Sequence, residues 1–184
     1  LNYMKQAVEA EKPDKVLHLG DVIRDAKQLQ ESFPELNMEW VVGNCDGYNG
    51  DDSAPSEKEI FMGEKRLLIC HGHTYQVKLG IGMLTNEARG RGADAVLFGH
   101  THEPLCFMEG NLWIINPGTC SGVPRATYGV MELVDGKLTC RTADAKKLGM
   151  GGEKEKRRWF FRKSLNRNFQ QFLQIYMRER VVKE

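Results

Sequence analysis

Apolar side chains recur along this chain at two spacings that alternate through its first half. Leu1, Met4, Ala7, Val8 and Ala10 share one face of a helix predicted over 1–11, which Pro13 stops. The pattern then contracts to a short strand over 15–19, with Gly20-Asp21 at its end. A second helix is predicted over 26–33, ahead of Pro34, and a strand over 39–42 that runs into Gly43-Asn44-Cys45-Asp46. Beyond a polar, Gly- and Asp-rich loop, strands over 58–62 and 65–70 flank a turn at Gly63-Glu64, and the second ends in His71-Gly72-His73. A helix over 83–91 precedes an apolar strand over 93–98 that stops at Gly99-His100-Thr101-His102. Strands over 105–108, 112–116, 127–134 and 137–141 follow, with turns at Glu109-Gly110-Asn111 and Asp135-Gly136. An alternating first half and a β-rich second half predict an α/β fold with two packed sheets and helices outside.

The tail breaks this rhythm. Residues 149–152 read as a hinge and 153–158 as a charged, solvated run. Phe161, Leu165, Phe169, Phe172, Leu173, Tyr176 and Met177 then recur at helical spacing with Arg and Lys between them, a basic amphipathic helix. The chain is accordingly divided into a domain over 1–145 and a linker with helical extension over 146–184. The near-neutral total charge conceals this division, because residues 146–184 hold 12 Lys/Arg against 4 Asp/Glu. The favoured role of the extension is docking on its own domain or on a second copy, as a homo-oligomer contact. Binding of nucleic acid or an anionic surface is the less favoured reading.

No apolar run is long enough to span a bilayer. Five scattered cysteines without C-x-x-C spacing read as reduced thiols of a cytoplasmic protein rather than a disulfide framework. The chain opens on Leu1 and directly on a helical pattern, which implies residues upstream.

Four polar clusters each follow a predicted strand: Asp21, Asn44, His71 and the pair His100/His102. In open α/β sheets ligands bind outside the carboxyl ends of the strands. Residues two apart in an extended segment point the same way, so His100 and His102 can face one point. One carboxylate, one amide oxygen and three imidazoles suit Mn, Fe, Zn, Ni or Co, and lack the all-oxygen character that Ca requires. A carboxylate can bridge two ions, and two ions about 3.5–4 Å apart clamp both the attacking and the leaving oxygen of a phosphoryl centre. Singly, each residue has a plainer reading: a hydrogen-bonded histidine, a helix cap at Asp21, a turn at Asn44. Their common placement at strand ends favours metal ligation. His18, inside a strand, reads as packed or supporting; His73 as a substrate contact or an orienting group; Arg125 as a phosphate contact or a link between loops.

Gly20-Asp21, Gly43-Asn44-Cys45-Asp46, His71-Gly72-His73 and Gly99-His100-Thr101-His102 resemble, in order and spacing, the motifs of calcineurin-like metallophosphoesterases. The Asn-Cys-Asp variant, with Asn116-Pro117-Gly118 and Pro124-Arg125, is most similar to the small YfcE-type phosphodiesterases. The resemblance implies a four-layer α/β/β/α sandwich and a binuclear metal centre, with Mn favoured and Ni, Zn, Fe or Co as alternatives. It also implies a metal-bridging hydroxide that hydrolyses a small-molecule phosphoester. Asp21 would bridge both metals, Asn44, His71 and His100 would complete one site, and His102 would belong to the other. The family's opening Asp-x-His motif should fall just before Leu1. Cys45 stands where many relatives carry the histidine that protonates the leaving group, so His73 and Cys45 are the candidate catalytic acids. A thiol is a poor acid for an alkoxide, which favours a phosphodiesterase acting on good leaving groups. The alternative is a catalytically weak or inactive scaffold for protein–protein interaction, for which the phosphoesterase-like subunit of the retromer complex is the precedent. A hydrolase using a single metal is a third reading.

Overall fold

A computed structural model describes residues 1–48, 53–121, 125–148 and 174–180. Helix α1 (Asn2–Glu11) buries Met4, Ala7 and Val8, and ends where Lys12 turns left-handed (φ 46°) and donates its N–H to the Val8 carbonyl. Strand β1 (Lys15–His18), helix α2 (Ile23–Ser32) and strand β2 (Asn37–Trp40) form a parallel crossover unit. A short helix, α3 (Asn44–Tyr48), starts where the pattern predicted only a loop. Strands β3 (Glu57–Met62) and β4 (Lys65–Cys70) pair antiparallel. Helix α4 (Gly82–Gly90) then returns the chain to β5 (Ala95–Leu97), parallel to β4. Two hairpins follow, β6 (Pro104–Glu109) with β7 (Leu112–Pro117), and β8 (Thr127–Val134) with β9 (Lys137–Asp144). Asp135 and Gly136, at φ 50° and 74°, supply the two positive φ values of a tight β8–β9 turn.

With strand β10 (Gln174–Arg180) these elements make two five-stranded sheets, β2-β1-β10-β8-β9 and β3-β4-β5-β7-β6. Leu17, Leu19, Ile69, Leu97, Ile115, Met131 and Ile175 belong to the apolar layer the two sheets share. The outer face of the first sheet packs through Val16, Tyr128 and Tyr176 on Met4 and Leu29 of α1 and α2. The outer face of the second packs through Leu68, Val96 and Ile114 on Leu84 and Ala88 of α4. Helix, sheet, sheet, helix is the four-layer α/β/β/α order expected.

One expectation fails. Tyr176 and Met177, placed above on a helical face, lie in β10, parallel to β8 and antiparallel to β1. Ile175 and Met177 enter the layer between the sheets while Tyr176 faces the helices, so neighbours point to opposite sides and all are buried. A strand covered on both faces is apolar at consecutive positions, and that run merged with the spacing of the apolar residues upstream. The rest of the predicted amphipathic helix, including Phe161, Leu165, Phe169, Phe172 and Leu173, lies outside the described residues, as do the 149–152 hinge and the 153–158 run.

Strand β10 is also tied in by charge. Glu11, at the end of α1 and only 9% exposed, accepts hydrogen bonds from Tyr128 on β8 (2.7 Å), Arg141 on β9 (3.1 Å) and Arg178 on β10 (2.9 Å). Burial alone would raise the Glu11 pKa. The hydrogen bonds from Tyr128 and Arg141 and the two guanidinium charges outweigh it and hold the carboxyl below its ordinary value. A carboxylate depressed in the folded state contributes stability that is complete above its unfolded value of 4.5 and is lost as pH falls through the lower folded value. Glu11→Ala is expected to cost about 2–3 kcal/mol at pH 7, just below the buried-pair range of about 3–5 kcal/mol because Arg141 is half exposed. In urea unfolding, the gap between wild type and variant should narrow as pH falls below about 4.5; a gap independent of pH would contradict the ionised pairing.

Candidate metal centre

The loops after β1 and β2 meet backbone to backbone. A Cβ on Gly20 (φ +90°) would lie 2.5 Å from the Gly43 nitrogen, and one on Gly43 would lie 2.4 Å from the Asp21 nitrogen. Buried Asp46, in α3, locks the contact. One oxygen accepts the N–H groups of Asp21 and Gly43, both at 2.8 Å, and the other accepts that of Ile23 at 2.9 Å, at the start of α2. Asp21 is thereby held at φ 79°, a left-handed conformation that a short polar residue tolerates.

The strand-end residues converge. His71 is fully buried, and its Nδ1 lies 2.6 Å from the Leu19 carbonyl, which can only accept, so Nδ1 carries the proton. In the neutral ring, Nε2 then presents a lone pair. Around it stand Asn44 Oδ1 at 3.1 Å, Asp21 Oδ1 at 3.2 Å and His100 Nδ1 at 3.2 Å. Among the described residues no group of three or more His, Cys, Asp or Glu is by itself set to hold a metal ion; the convergence includes the amide of Asn44. Asn44 Oδ1 and Asp21 Oδ1 are acceptors facing the bare Nε2, a repulsion that a cation among them relieves, and the separations suit ligands about 2.0–2.2 Å from one transition-metal ion. The donor set therefore fits a metal. The second oxygen of Asp21 faces away from this group and lies 3.1 Å from His102 Nε2.

His100 and His102 reach these positions because both adopt positive φ, 63° and 61°. The loop is held by Asn116 on β7, whose amide donates to the Gly99 carbonyl (2.9 Å) and to Thr101 Oγ1 (3.0 Å) while its oxygen accepts the Gly118 N–H. Gly99 in turn donates its N–H to the His71 carbonyl at 2.9 Å, which joins the loops after β4 and β5.

The two candidate acids flank the cluster. The His73 ring lies 5.3 Å from that of His71 and 6.1 Å from that of His100, and burial, then the His71 charge, lower its pKa. Cys45 is exposed, and its N–H lies 3.4 Å from Asp21 Oδ1. Burial and then the Asp21 charge push its thiol up to about 11. His18 is buried beside the site and accepts the Gly20 N–H at 3.2 Å; burial and the His71 charge push it down to about 3, so it is a neutral supporting group. Arg125 is exposed. A cavity of about 400 Å³ bordered by Lys65, Asp94, Trp113 and Leu138 sits at the opposite ends of β4 and β5, away from the cluster. Sequence reasoning passed over Asp46 and Asn116 as working residues, although both stand inside quoted motifs. Their signal was a buried acidic or amide side chain in a loop that needs its own N–H groups satisfied.

The profile of the calcineurin-like phosphoesterase superfamily domain matches residues 2–136. The chain is 30% identical over 136 residues to the probable metallophosphoesterase YsnB of Bacillus subtilis, covering 71% of this chain and 75% of that one. It is 28% identical over 102 residues to the phosphodiesterase YfcE of Escherichia coli, half of each chain. It also superposes on the crystal structure of a Streptococcus pneumoniae protein described as a predicted phosphoesterase, with a TM-score of 0.57 and 26% identity over 69% of this chain and 71% of that one. No helix among the described residues is long and apolar enough to cross a membrane. A match spanning most of the chain, over the very segment that carries the four strand-end clusters, makes this protein a member of the calcineurin-like phosphoesterase superfamily.

Proposed function

We propose that this chain is a metal-dependent phosphodiesterase that hydrolyses a small-molecule phosphoester. The observation that carries the reading is Asp21, whose two oxygens face separate imidazoles, His71 on one side and His102 on the other. Asp21, Asn44, His71 and His100 would hold one divalent ion, and Asp21 with His102 would contribute to a second. Mn is favoured for both. When bound, such ions supply Lewis-acid activation of water and neutralise charge on phosphoryl oxygens.

The protein's own groups prepare that chemistry. Burial would raise the Asp21 pKa, but the hydrogen bond from His102, with the His71 imidazole beside the other oxygen, holds it well below the ordinary carboxylate range, so the carboxylate is ionised throughout neutral pH. The Leu19 carbonyl fixes the His71 tautomer and turns Nε2 toward the site. Neither flanking acid is well placed to protonate a leaving group at neutral pH: the lowered pKa of His73 leaves its ring mostly without the extra proton, and the Cys45 thiol, at about 11, gives up its proton reluctantly. A site so equipped favours leaving groups that depart without full protonation, such as aryl oxides, over simple alkoxides. Free thiols at all five cysteines support a reducing, cytoplasmic setting.

A second reading is a weak or inactive scaffold for protein–protein interaction, in which the 3.1 Å contact between His102 Nε2 and Asp21 Oδ2 is a structural hydrogen bond. Hydrolysis of bis(p-nitrophenyl) phosphate with added Mn separates the two. Metal-dependent turnover that His100→Ala abolishes is expected; no turnover by the wild-type chain with Mn, Ni, Co, Zn or Fe would select the scaffold.

A further inference from the structure

On one side of the sandwich the two sheets end in β6 and β9. Each of these edge strands carries a half-buried free cysteine, Cys106 on β6 and Cys140 on β9. Directly opposite residues of an antiparallel pair point to the same face. Cys106 stands opposite Ile115 and Cys140 opposite Met131, and both partners are buried in the layer between the sheets. The two thiols therefore point inward from facing edges, and each packs against that shared layer. Leu105, next to Cys106, packs on the α4 side instead, as the alternation of a strand requires.

The two cysteines also stand at one level along the strands. Strand β7 runs parallel to β5 and β4, and the pairings β1–β10, β10–β8 and β8–β9 make β9 run the same way as β1. Since β1 and β4 both lead to the metal cluster, β7 and β9 point toward the same end of the sandwich. Trp113 on β7 donates its indole N–H to the Leu138 carbonyl on β9 at 3.3 Å, which sets the level of one sheet against the other. Two residues further on, β7 reaches Ile115, beside Cys106, and β9 reaches Cys140. Facing sheets ordinarily stand about 10 Å apart. Here Cα atoms of β6 and β9 come within 8 Å of each other, so the sandwich is pinched at this edge. A disulfide, with Cα atoms about 4.4–6.8 Å apart, then needs only a small adjustment of two edge strands. A hydrogen bond with Cys140 lowers the Cys106 pKa although burial opposes it, which makes Cys106 the readier nucleophile.

We infer that Cys106 and Cys140 are a redox modification site, at which a peroxide produces a reversible disulfide that staples the edges of the two sheets. In the first step the Cys106 thiolate attacks one peroxide oxygen, the O–O bond breaks and hydroxide leaves; sulfur is oxidised to the sulfenic acid and the peroxide is reduced. In the second the Cys140 sulfur attacks that of Cys106, the S–O bond breaks, and the oxygen leaves as water with the Cys140 proton. Two thiols and one hydrogen peroxide become one disulfide and two waters. Exchange with a small thiol restores the pair. The site is independent of the metal-dependent chemistry proposed above.

The test treats the wild-type chain, Cys45→Ser, Cys106→Ser and Cys140→Ser with equimolar hydrogen peroxide, alkylates the remaining thiols and maps the peptides by mass. The wild type is expected to lose two of its five thiols, to yield a linked peptide pair containing Cys106 and Cys140, and to regain both thiols in dithiothreitol. Cys45→Ser should give the same link, because the exposed Cys45 takes no part in it. Cys140→Ser should stop at a sulfenic acid on Cys106, trapped with dimedone, and Cys106→Ser should leave Cys140 a thiol. Recovery of Cys106 and Cys140 as free thiols in the treated wild type would overturn the inference. So would a disulfide of either with Cys45, or oxidation of Cys106 to the sulfinic acid while Cys140 stays free.

Discussion

Asp21→Asn is expected to lower metal-dependent phosphodiester hydrolysis by on the order of 10³-fold in kcat, the scale on which loss of a group facing developing charge is felt. The substitution isolates chemistry from folding. Asparagine accepts the left-handed backbone (φ 79°) as readily as aspartate, and its N–H remains available to Asp46. What changes is the charge and one of the two oxygens. An amide can offer an oxygen to His71 or to His102, and must present an N–H to the other. It can neither bridge two cations nor supply the negative charge that would offset them. The midpoint of urea unfolding should move little while turnover disappears. Turnover within about 10-fold of wild type would exclude Asp21 from the centre.

Asp46→Ala is expected to damage stability and site together. Three backbone N–H groups, those of Asp21, Gly43 and Ile23, lose their acceptor in a buried place, and the start of α2 loses its cap. Uncompensated burial of such donors costs about 1–3 kcal/mol each, reduced where water enters, so a total loss of about 3 kcal/mol is expected. The Asp21 and Asn44 loops are then no longer clamped, and Mn affinity should fall about 10- to 100-fold, as it does when groups orienting metal ligands are removed. Asp46→Asn keeps one accepting oxygen and should fall between. Urea unfolding and a Mn titration read the two effects separately; full Mn affinity in Asp46→Ala would show that the loops hold their geometry without it.

Much of this architecture was legible because the strands β1, β4 and β5 that end at the site are short, largely apolar and stopped by glycine or a polar residue. Strands β4 and β8 coincide with the runs 65–70 and 127–134, and the convergence of Asp21, Asn44, His71, His100 and His102 follows from their shared position after parallel or adjoining strands. Two things were not legible. Tyr176 and Met177 read as helical because a strand buried on both faces lacks the alternation that marks a half-exposed one. Asp46 read as part of a loop because its work, accepting N–H groups from the 21–23 segment, depends on contacts 23 and 25 residues away.

The positive φ values at His100 and His102 lie between these cases. The histidines themselves were evident, but two left-handed positions separated by a single residue, both bearing imidazoles, are strained, and nothing in the local pattern asks for them. Asn116, 15 residues from Thr101 and 17 from Gly99, holds the loop in place. The strain accompanies a working geometry, in which His100 Nδ1 lies 3.2 Å from His71 Nε2 and His102 Nε2 lies 3.1 Å from Asp21 Oδ2.

The central claim is that Asp21, Asn44, His71 and His100 enclose a transition-metal ion. A crystal of the protein soaked in Mn, with anomalous scattering recorded at the Mn absorption edge, tests it most directly. The account predicts a peak about 2.0–2.3 Å from Asp21 Oδ1, Asn44 Oδ1, His71 Nε2 and His100 Nδ1. No peak among these four atoms, or a peak held by other residues, would contradict it.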